Sequence, residues 1–331
     1  MQNAIAIGNI DFVKNTLFIN HFCKILSLCG ENCLIVPLKG ISLLFSIYKD
    51  NYSRDVSDID ILVPENNVED LIVQLKKLGY VFRNQNINNR KQIKRKFDMM
   101  HADKKYCDLD IHTDLINKKF YRTSTGNFTA FAWQRLTKTT YNHQRIFLLS
   151  PVDEWLYLAQ HYCFHLFSND KWLRDLYLLQ YCFSYEEITE LVALAKQFHF
   201  ERVVTMVGRY LKNKYSPEAI KIPEMITKKY FVFDLLSRKP GKKFAYTFSN
   251  RIIAIYWEFV FIDNPLSRLK AYLQLLFPAL TIFMDIYNCK SKISCCFYPL
   301  HLAGVLLSSI LFLPVLCGKI FLVFNHKIVK K

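Results

Sequence analysis

Apolar residues in the first half of the chain recur with the period of a helix in some stretches and of a strand in others. Apolar spacing of three or four residues, ended by a glycine, is typical of an amphipathic helix, and short continuous apolar runs are typical of buried strands. In chain order the pattern predicts a helix over 11–30, a strand over 33–37, a helix over 38–50, a strand over 58–63 and a helix over 66–80.

A further strand is predicted where polar and apolar residues alternate strictly in YCDLDIHTDL, residues 106–115. Side chains two residues apart in a strand point to the same face. Asp108, Asp110 and His112 therefore share one face, and the apolar residues between them share the other. Strands and helices that alternate in this way predict a small α/β sheet domain.

The second half of the chain is predicted to be mostly helical. Ser150, Pro151 and Asp153 form a strong helix start, and helical patterns recur between 183 and 290. We therefore expect an α+β protein in which a sheet domain precedes a mostly α-helical domain. The expected division is an N-terminal helix (1–30), the sheet domain (31–149) and a helical domain with an apolar C-terminal segment (150–331).

Composition indicates a folded protein with a large positive charge. Apolar residues make up 51% of the 331 residues, and 44 lysines and arginines oppose 28 acidic residues, a net charge of +16. This surplus favours anionic partners such as nucleotides, nucleic acid or acidic lipid headgroups. The ten cysteines include no C-x-x-C pair and the N-terminus lacks a signal-peptide pattern, so we expect reduced thiols, no zinc site and a cytoplasmic protein.

Part of the basic surplus lies between Arg83 and Lys105, where eight lysines and arginines stand against two aspartates. A solvated loop or helix face is the default explanation, and contact with a triphosphate or an anionic acceptor is the alternative. Phe97 is the one aromatic residue of this segment, so stacking on single-stranded bases is not supported.

Asp58 and Asp60 are separated by one residue in the apolar run SDIDILVP, residues 57–64. On a strand both carboxylates face one side, and they repel each other unless a cation lies between them. Magnesium suits such a site, because it binds through one or two carboxylates together with substrate phosphates. Asp110 is the leading candidate for the third carboxylate of a two-metal site, and Asp108 competes with it.

Three motifs in this order resemble a bacterial nucleotidyltransferase family of the DNA polymerase β-like superfamily. The family pattern is Leu-Lys-Gly, then Arg-x-x-x-Asp-Ile-Asp, then Asp-hydrophobic-His. The chain has PLKGISLL (37–44), RDVSDIDILV (54–63) and LDIH (109–112), followed by QHYCFH (160–165) and KWLRDLYLL (171–179). The resemblance implies a polymerase β-like sheet domain that transfers a nucleoside monophosphate from a nucleoside triphosphate and releases pyrophosphate.

The resemblance also implies nucleotide-binding residues. Gly40 would let backbone amides approach the triphosphate, and Ser42 would donate its hydroxyl to the same group. Lys39 and Arg54 would be the cationic contacts. Two alternatives stay open: Lys39 as an ordinary surface lysine, and Arg54 as a plain ion-pair partner of Asp58.

On the metal side, the resemblance implies that Asp58, Asp60 and Asp110 hold Mg²⁺, with Mn²⁺ as an alternative ion. Asp110 would also act as general base toward the acceptor hydroxyl, and His112 would orient an aspartate or a substrate group. ATP is the favoured donor. The acceptor is a small molecule, a sugar or a protein side chain, and a nucleic-acid template is not expected.

Four residues are candidates for lining the acceptor pocket: His112, His161, His165 and Asp175. His161 and His165 lie one helical turn apart, so they share a helix face. A zinc site at this pair would lack a third ligand. Packed histidines that hydrogen-bond to Asp175 are the simpler explanation of the same pattern.

A largely apolar run between Leu300 and Gly318 approaches the length of a membrane span. Pro314 and the need of a helical domain for buried helices favour a buried or interfacial hairpin, whereas the flanking lysines suit an anionic membrane surface. The alternative function is therefore a non-catalytic, membrane-peripheral protein that retains the fold and binds anionic lipid or a partner.

Overall fold

The computed structural model describes the chain in segments, with side chains described from Asp11 onward. The apolar run from Leu300 lies outside these segments, as do residues 84–95 and 105 of the basic segment. The described segments are 2–30, 33–48, 53–83, 96–104, 106–116, 121, 125–165, 167, 169–225 and 261–277.

The predicted helices and strands occur in the predicted order, and further strands and a short helix lie between them. The first part of the chain contains α1 (Gln2–Cys29), β1 (Val36–Leu38), α2 (Lys39–Ser46), β2 (Ile59–Leu62), α3 (Val68–Lys77), β3 (Tyr80–Phe82), β4 (Lys96–His101) and β5 (Leu109–His112). The remainder contains α4 (Phe128–Trp133), β6 (Thr137–Tyr141), β7 (Gln144–Leu148), α5 (Pro151–Phe164), α6 (Asp170–Cys182), α7 (Tyr185–Gln197), α8 (Glu201–Lys214) and α9 (Pro265–Leu276). Short 3₁₀ turns occupy Glu65–Asn67 and Pro217–Ala219.

Strands β1 to β5 form one mixed sheet in the order β1-β2-β5-β4-β3, and β6 and β7 form a separate hairpin. β2 and β5 run parallel, and the other neighbours in the large sheet run antiparallel. The apolar residues of the parallel strands β2 and β5, among them Ile59, Ile61 and Ile111, are fully buried. This mixture of sheet and helices confirms the predicted α+β class.

The first helix is longer than the pattern predicted, because it begins at Gln2 rather than near residue 11. Its described apolar face buries Ile19, Phe22 and Ile25 completely. Gly30 ends it with a φ of +62°, a conformation that glycine adopts without the steric penalty of a Cβ.

Two local predictions were wrong. The first strand does not end at Pro37, because Pro37 lies inside β1 and faces Ile61 of β2. A proline fits there since β1 is an edge strand and one of its sides needs no ladder hydrogen bond. The basic segment is not simply a loop or a helix face, because Lys96–His101 forms β4 with buried Phe97 and Met99.

The chain divides into two compact units, and neither is continuous in sequence. The first comprises 1–117, 127–159 and 171–191, and the second comprises 118–126, 160–170 and 192–331. The predicted domain boundaries at 30/31 and 149/150 stay a prediction.

The described part of the second unit is helical and rich in aromatic side chains. α8 buries Val203, Val204 and Val207 completely, and the rings of Phe167 and Tyr210 stack 4.3 Å apart. Asn264 caps α9 by accepting hydrogen bonds from two backbone amides. Among the described residues of the whole chain, no helix combines the length and the apolar character that crossing a membrane requires.

Candidate active site

Aspartates on three neighbouring strands lie side by side at the centre of the sheet. Asp60 of β2 faces Asp110 of β5 across the parallel pair, and Asp110 faces Asp98 of β4 across the antiparallel pair. Asp58 directly precedes β2 and lies two residues before Asp60, so it projects to the same side. Adjacent strands are about 4.8 Å apart, so this row concentrates negative charge within a short distance.

Asp60 is the most enclosed of the four, with 3% of its surface exposed. Lys39 Nζ lies 2.6 Å from Asp60 Oδ1, and His112 Nε2 lies 3.0 Å from the same oxygen. Burial acts to raise the pKa of Asp60, but the charge of Lys39 and the hydrogen bond from His112 outweigh it and hold that pKa well below its usual range. Burial lowers the pKa of His112, so a neutral imidazole donates from Nε2 to an ionised Asp60.

The other three carboxylates are more accessible. Lys96 Nζ lies 2.6 Å from Asp110 Oδ2, and Ser57 Oγ donates a hydrogen bond of 2.9 Å to Asp58. Partial burial, followed by the neighbouring charge of Asp60, raises the pKa of Asp58. Burial and the charge of Asp110 likewise raise the pKa of Asp98. Both pKa shifts come first from burial and second from repulsion by a neighbouring aspartate of the row.

Asp98 does not stand out in the sequence, because the basic composition of the segment around it favours a solvated loop or helix face. The signal that could have found it is the alternation in KFDMMH, residues 96–101, where Phe97, Met99 and His101 point inward. Such alternation places Asp98 on the opposite face, which is the face of Asp110.

Asp108, the competitor of Asp110, has a different partner. It forms an ion pair with Arg83, and 46% of its side chain is exposed. It lies just before β5, whereas Asp110 is in direct register with Asp60. The geometry therefore groups Asp110, and not Asp108, with Asp60.

A cleft of about 960 Å³ within the first unit is lined by three aspartates of this row, but not by the buried Asp60. Asp58, Asp98, Asp108 and Asp110 lie on one part of its wall, and α1 contributes His21 and Lys24 to another. Tyr106 stacks on His21 with ring centres 4.3 Å apart, and Lys24 Nζ donates to the Tyr106 hydroxyl over 2.6 Å. The cleft thus combines acidic, aromatic and cationic side chains.

The turn from β1 into α2 lies beside Asp60. Lys39 has a φ of +56°, which is unusual for a residue with a side chain and indicates a backbone held in place by its surroundings. A Cβ on Gly40 would lie 3.2 Å from Val56 Cγ2, closer than ordinary packing. A side chain at position 40 would require Val56, in the segment that leads into β2, to shift by a few tenths of an ångström.

The comparison with known protein families shows which family the chain belongs to. The family model described as an uncharacterised nucleotidyltransferase matches residues 12–215, which is more than half of the chain. The chain belongs to this family. No curated protein matches the chain. Family membership confirms the resemblance seen in the three motifs, and it indicates nucleotidyl transfer with a nucleotide substrate.

The donor set of this nucleotidyltransferase fits a divalent cation. One ligand atom each from Asp60, Asp110 and His112 lies within 4.8 Å of the other two. Carboxylate oxygens are the protein ligands that Mg²⁺ and Mn²⁺ prefer. His112 Nε2 is already hydrogen-bonded to Asp60, so this ring contacts an aspartate in the way expected of an orienting group.

Ser42 is buried rather than exposed at the candidate site. It lies on α2 with none of its surface exposed, next to the buried carboxyl of Glu154. Neither Ser42 Oγ nor Glu154 Oε1 has a partner at good hydrogen-bond geometry among the described residues. Burial raises the pKa of Glu154 to about 8, although the nearby Ser42 hydroxyl acts to lower it.

Glu154→Gln is expected to stabilise the protein at alkaline pH. The folded-state pKa lies above the unfolded value, so the wild type has the full stability of this group below about pH 4.5 and loses it as the pH rises toward 8. One pKa unit corresponds to ~1.4 kcal/mol. We expect the melting temperature of the variant relative to wild type to rise by about 5 °C or more between pH 5 and pH 8.5.

The matched control for this prediction is Glu65→Gln, which removes the same charge from an exposed position. Its melting temperature relative to wild type should stay nearly constant over that pH range. Equal behaviour of the two variants would contradict a buried, neutral Glu154.

Arg54 pairs with Asp175 rather than with Asp58. Its Nε and Nη2 atoms lie 2.9 Å and 2.8 Å from Asp175 carboxylate oxygens, and the Tyr48 hydroxyl donates to the same carboxylate over 2.9 Å. All of these groups are buried, and Asp175 has no exposed surface. The Arg54 guanidinium is therefore committed to an internal ion pair in the segment that leads into β2.

The candidate acceptor residues divide between the two units. His112 and Asp175 belong to the first unit, whereas His161 and His165 belong to the second. The rings of His161 and His165 lie 4.3 Å apart on α5. An acceptor pocket lined by these residues stays a prediction.

Proposed function

We propose that the protein is a metal-dependent nucleotidyltransferase that moves a nucleoside monophosphate from a nucleoside triphosphate to an acceptor hydroxyl. The observation that carries this proposal is the register of Asp60 and Asp110 on adjacent parallel strands, with Asp58 beside them at the cleft. Family membership supports the reaction class.

Asp58, Asp60 and Asp110 are the residues that would hold Mg²⁺ or Mn²⁺. The ion would supply positive charge that stabilises the attacking and leaving oxygens of phosphoryl transfer. Lys39 and His112 hold Asp60 in one orientation through contacts of 2.6 Å and 3.0 Å. Asp110 is more accessible than Asp60, so Asp110 is the carboxylate that would also accept the proton of the acceptor hydroxyl.

For the nucleotide, we propose contacts from Lys39 and from the backbone at Gly40. Ser42 has no exposed surface, so its contribution would come through the buried face of α2. Arg54 would position the segment before Asp58 through its ion pair with Asp175. Asn15 supports that segment as well, because its amide donates to the Arg54 carbonyl over 2.6 Å and accepts from the Val56 amide.

ATP is the donor to test first, and small molecules, sugars and protein side chains are the acceptor classes to offer. The protein is incubated with fractionated extract, Mg²⁺ or Mn²⁺, and ATP labelled on either the α- or the γ-phosphate, and the other three triphosphates follow. We expect label from the α-phosphate on an acceptor together with pyrophosphate release. Transfer of the γ-phosphate, or release of inorganic phosphate alone, would contradict nucleotidyl transfer.

The control for this experiment is the double variant Asp58→Asn/Asp110→Asn. These two residues line the cleft, whereas Asp60 is buried and bonded to Lys39, so replacing Asp60 would disturb folding as well. The double variant should keep the circular dichroism spectrum of the wild type and lose the transfer.

A further inference from the structure

Asp60 and Asp110 each form an ion pair with a lysine. Lys39 Nζ lies 2.6 Å from Asp60, and Lys96 Nζ lies 2.6 Å from Asp110. The two lysines come from different parts of the fold, since Lys39 begins α2 and Lys96 begins β4. The row of carboxylates is thus partly neutralised by lysine.

Each lysine contacts one oxygen of its carboxylate, Lys39 at Asp60 Oδ1 and Lys96 at Asp110 Oδ2. A divalent cation that binds either of these two oxygens displaces the lysine there, because like charges at a few ångströms repel each other. Lys96 is the more mobile candidate, since 36% of its side chain is exposed against 12% for Lys39. Its partner Asp110 lies in the cleft wall, where substrate phosphates would approach.

We propose that Lys96 is a phosphate-binding residue that exchanges its carboxylate partner Asp110 for a phosphate oxygen of the nucleotide when the cation binds. The lysine stem has four carbons and several rotatable bonds, so the ammonium group can leave Asp110 for a phosphate oxygen beside it without a backbone change. The inference rests on the proposed function. The inference adds Lys96, a residue of the basic segment, to the proposed nucleotide site. Lys96 lies on β4, which contains none of the three motifs.

A purely structural role for Lys96 predicts something different. If Lys96 only neutralised the carboxylates, its loss would change the metal affinity or the stability and leave nucleotide affinity at saturating metal unchanged. An exchanging lysine competes with the metal and assists the nucleotide, so its loss moves the two affinities in opposite directions.

The test uses Lys96→Met in the full chain, with Mn²⁺ alone measured by electron paramagnetic resonance and ATP at saturating Mn²⁺ measured by calorimetry. We expect Mn²⁺ to bind about 3-fold more tightly or better, and ATP to bind about 10-fold more weakly or worse. Lys96→Arg should restore most of the ATP affinity, because it keeps a cation at the same place.

The matched control is Lys104→Met, which removes the same charge from an exposed position of the same cleft. It should change both affinities by less than about 3-fold. A Lys96→Met variant whose two affinities fall together or stay unchanged overturns the inference while the wild type still binds Mn²⁺ and ATP. A wild type that binds neither overturns the proposed function itself, and the inference with it.

Discussion

Asp110→Asn is expected to reduce nucleotidyl transfer by about 10³-fold or more and to leave the fold intact. Asparagine keeps the shape of the side chain but has lost the charge that would hold the cation and the basic oxygen that would accept a proton. Loss of metal-derived charge stabilisation corresponds to several kcal/mol in the barrier. The melting temperature should stay within about 3 °C, because Asp110 is partly exposed and its loss relieves the repulsion with Asp98.

Asp108→Asn is the control for this prediction. It removes the same charge two residues away, from a side chain that faces the same cleft and pairs with Arg83. We expect less than about a 5-fold change in transfer, since an exposed ion pair contributes little. A larger loss in Asp108→Asn than in Asp110→Asn would assign the third metal carboxylate to Asp108.

Arg54→Met is expected to lower the free energy of unfolding by about 3–5 kcal/mol, since it leaves the buried carboxyl of Asp175 without its cation. Burial already acts to raise the pKa of Asp175 against the opposing influence of Arg54. Without the guanidinium that pKa rises further, so the loss should be largest at neutral pH and smaller near pH 4, where Asp175 takes up a proton. Denaturant unfolding at the two pH values measures both effects.

The double variant Arg54→Met/Asp175→Leu tests whether the loss comes from the unpaired charge. It should recover at least half of the stability lost in Arg54→Met, because both charges of the buried pair have been removed. Lys14→Met is a comparison on the neighbouring exposed pair with Asp55, where 37% and 38% of the side chains are exposed, and it should cost less than about 1 kcal/mol. Equal losses for Arg54→Met and Lys14→Met would contradict the internal ion pair.

The parts of the fold set by local pattern could be predicted from the sequence. The alternation around Asp110 and the apolar run around Asp60 identified β5 and β2, because a buried face imposes a period of two on a strand. The helix N-terminus at Ser150 was also predictable, and the Ser150 hydroxyl accepts from the Asp153 amide as the cap requires.

The parts set by distant contacts could not be predicted. Asp98 joins the carboxylate row only because β4 pairs with β5 in one register, and nothing in a basic segment indicates that partner. Arg54 and Asp175 are 121 residues apart, so their ion pair depends on how α6 packs and not on the spacing of either motif. A proline inside β1 is acceptable only because β1 lies at the sheet edge, and strand order is also a nonlocal property.

The measurement that tests the central claim most directly is calorimetric titration of the wild type and Asp58→Asn/Asp110→Asn with ATP, GTP, CTP and UTP, with and without Mn²⁺. Our account predicts that the wild type binds at least one triphosphate only when Mn²⁺ is present and that the double variant loses this binding. Absence of binding in the wild type, or equal Mn²⁺-dependent binding in both proteins, would contradict a metal-dependent nucleotide site at these carboxylates.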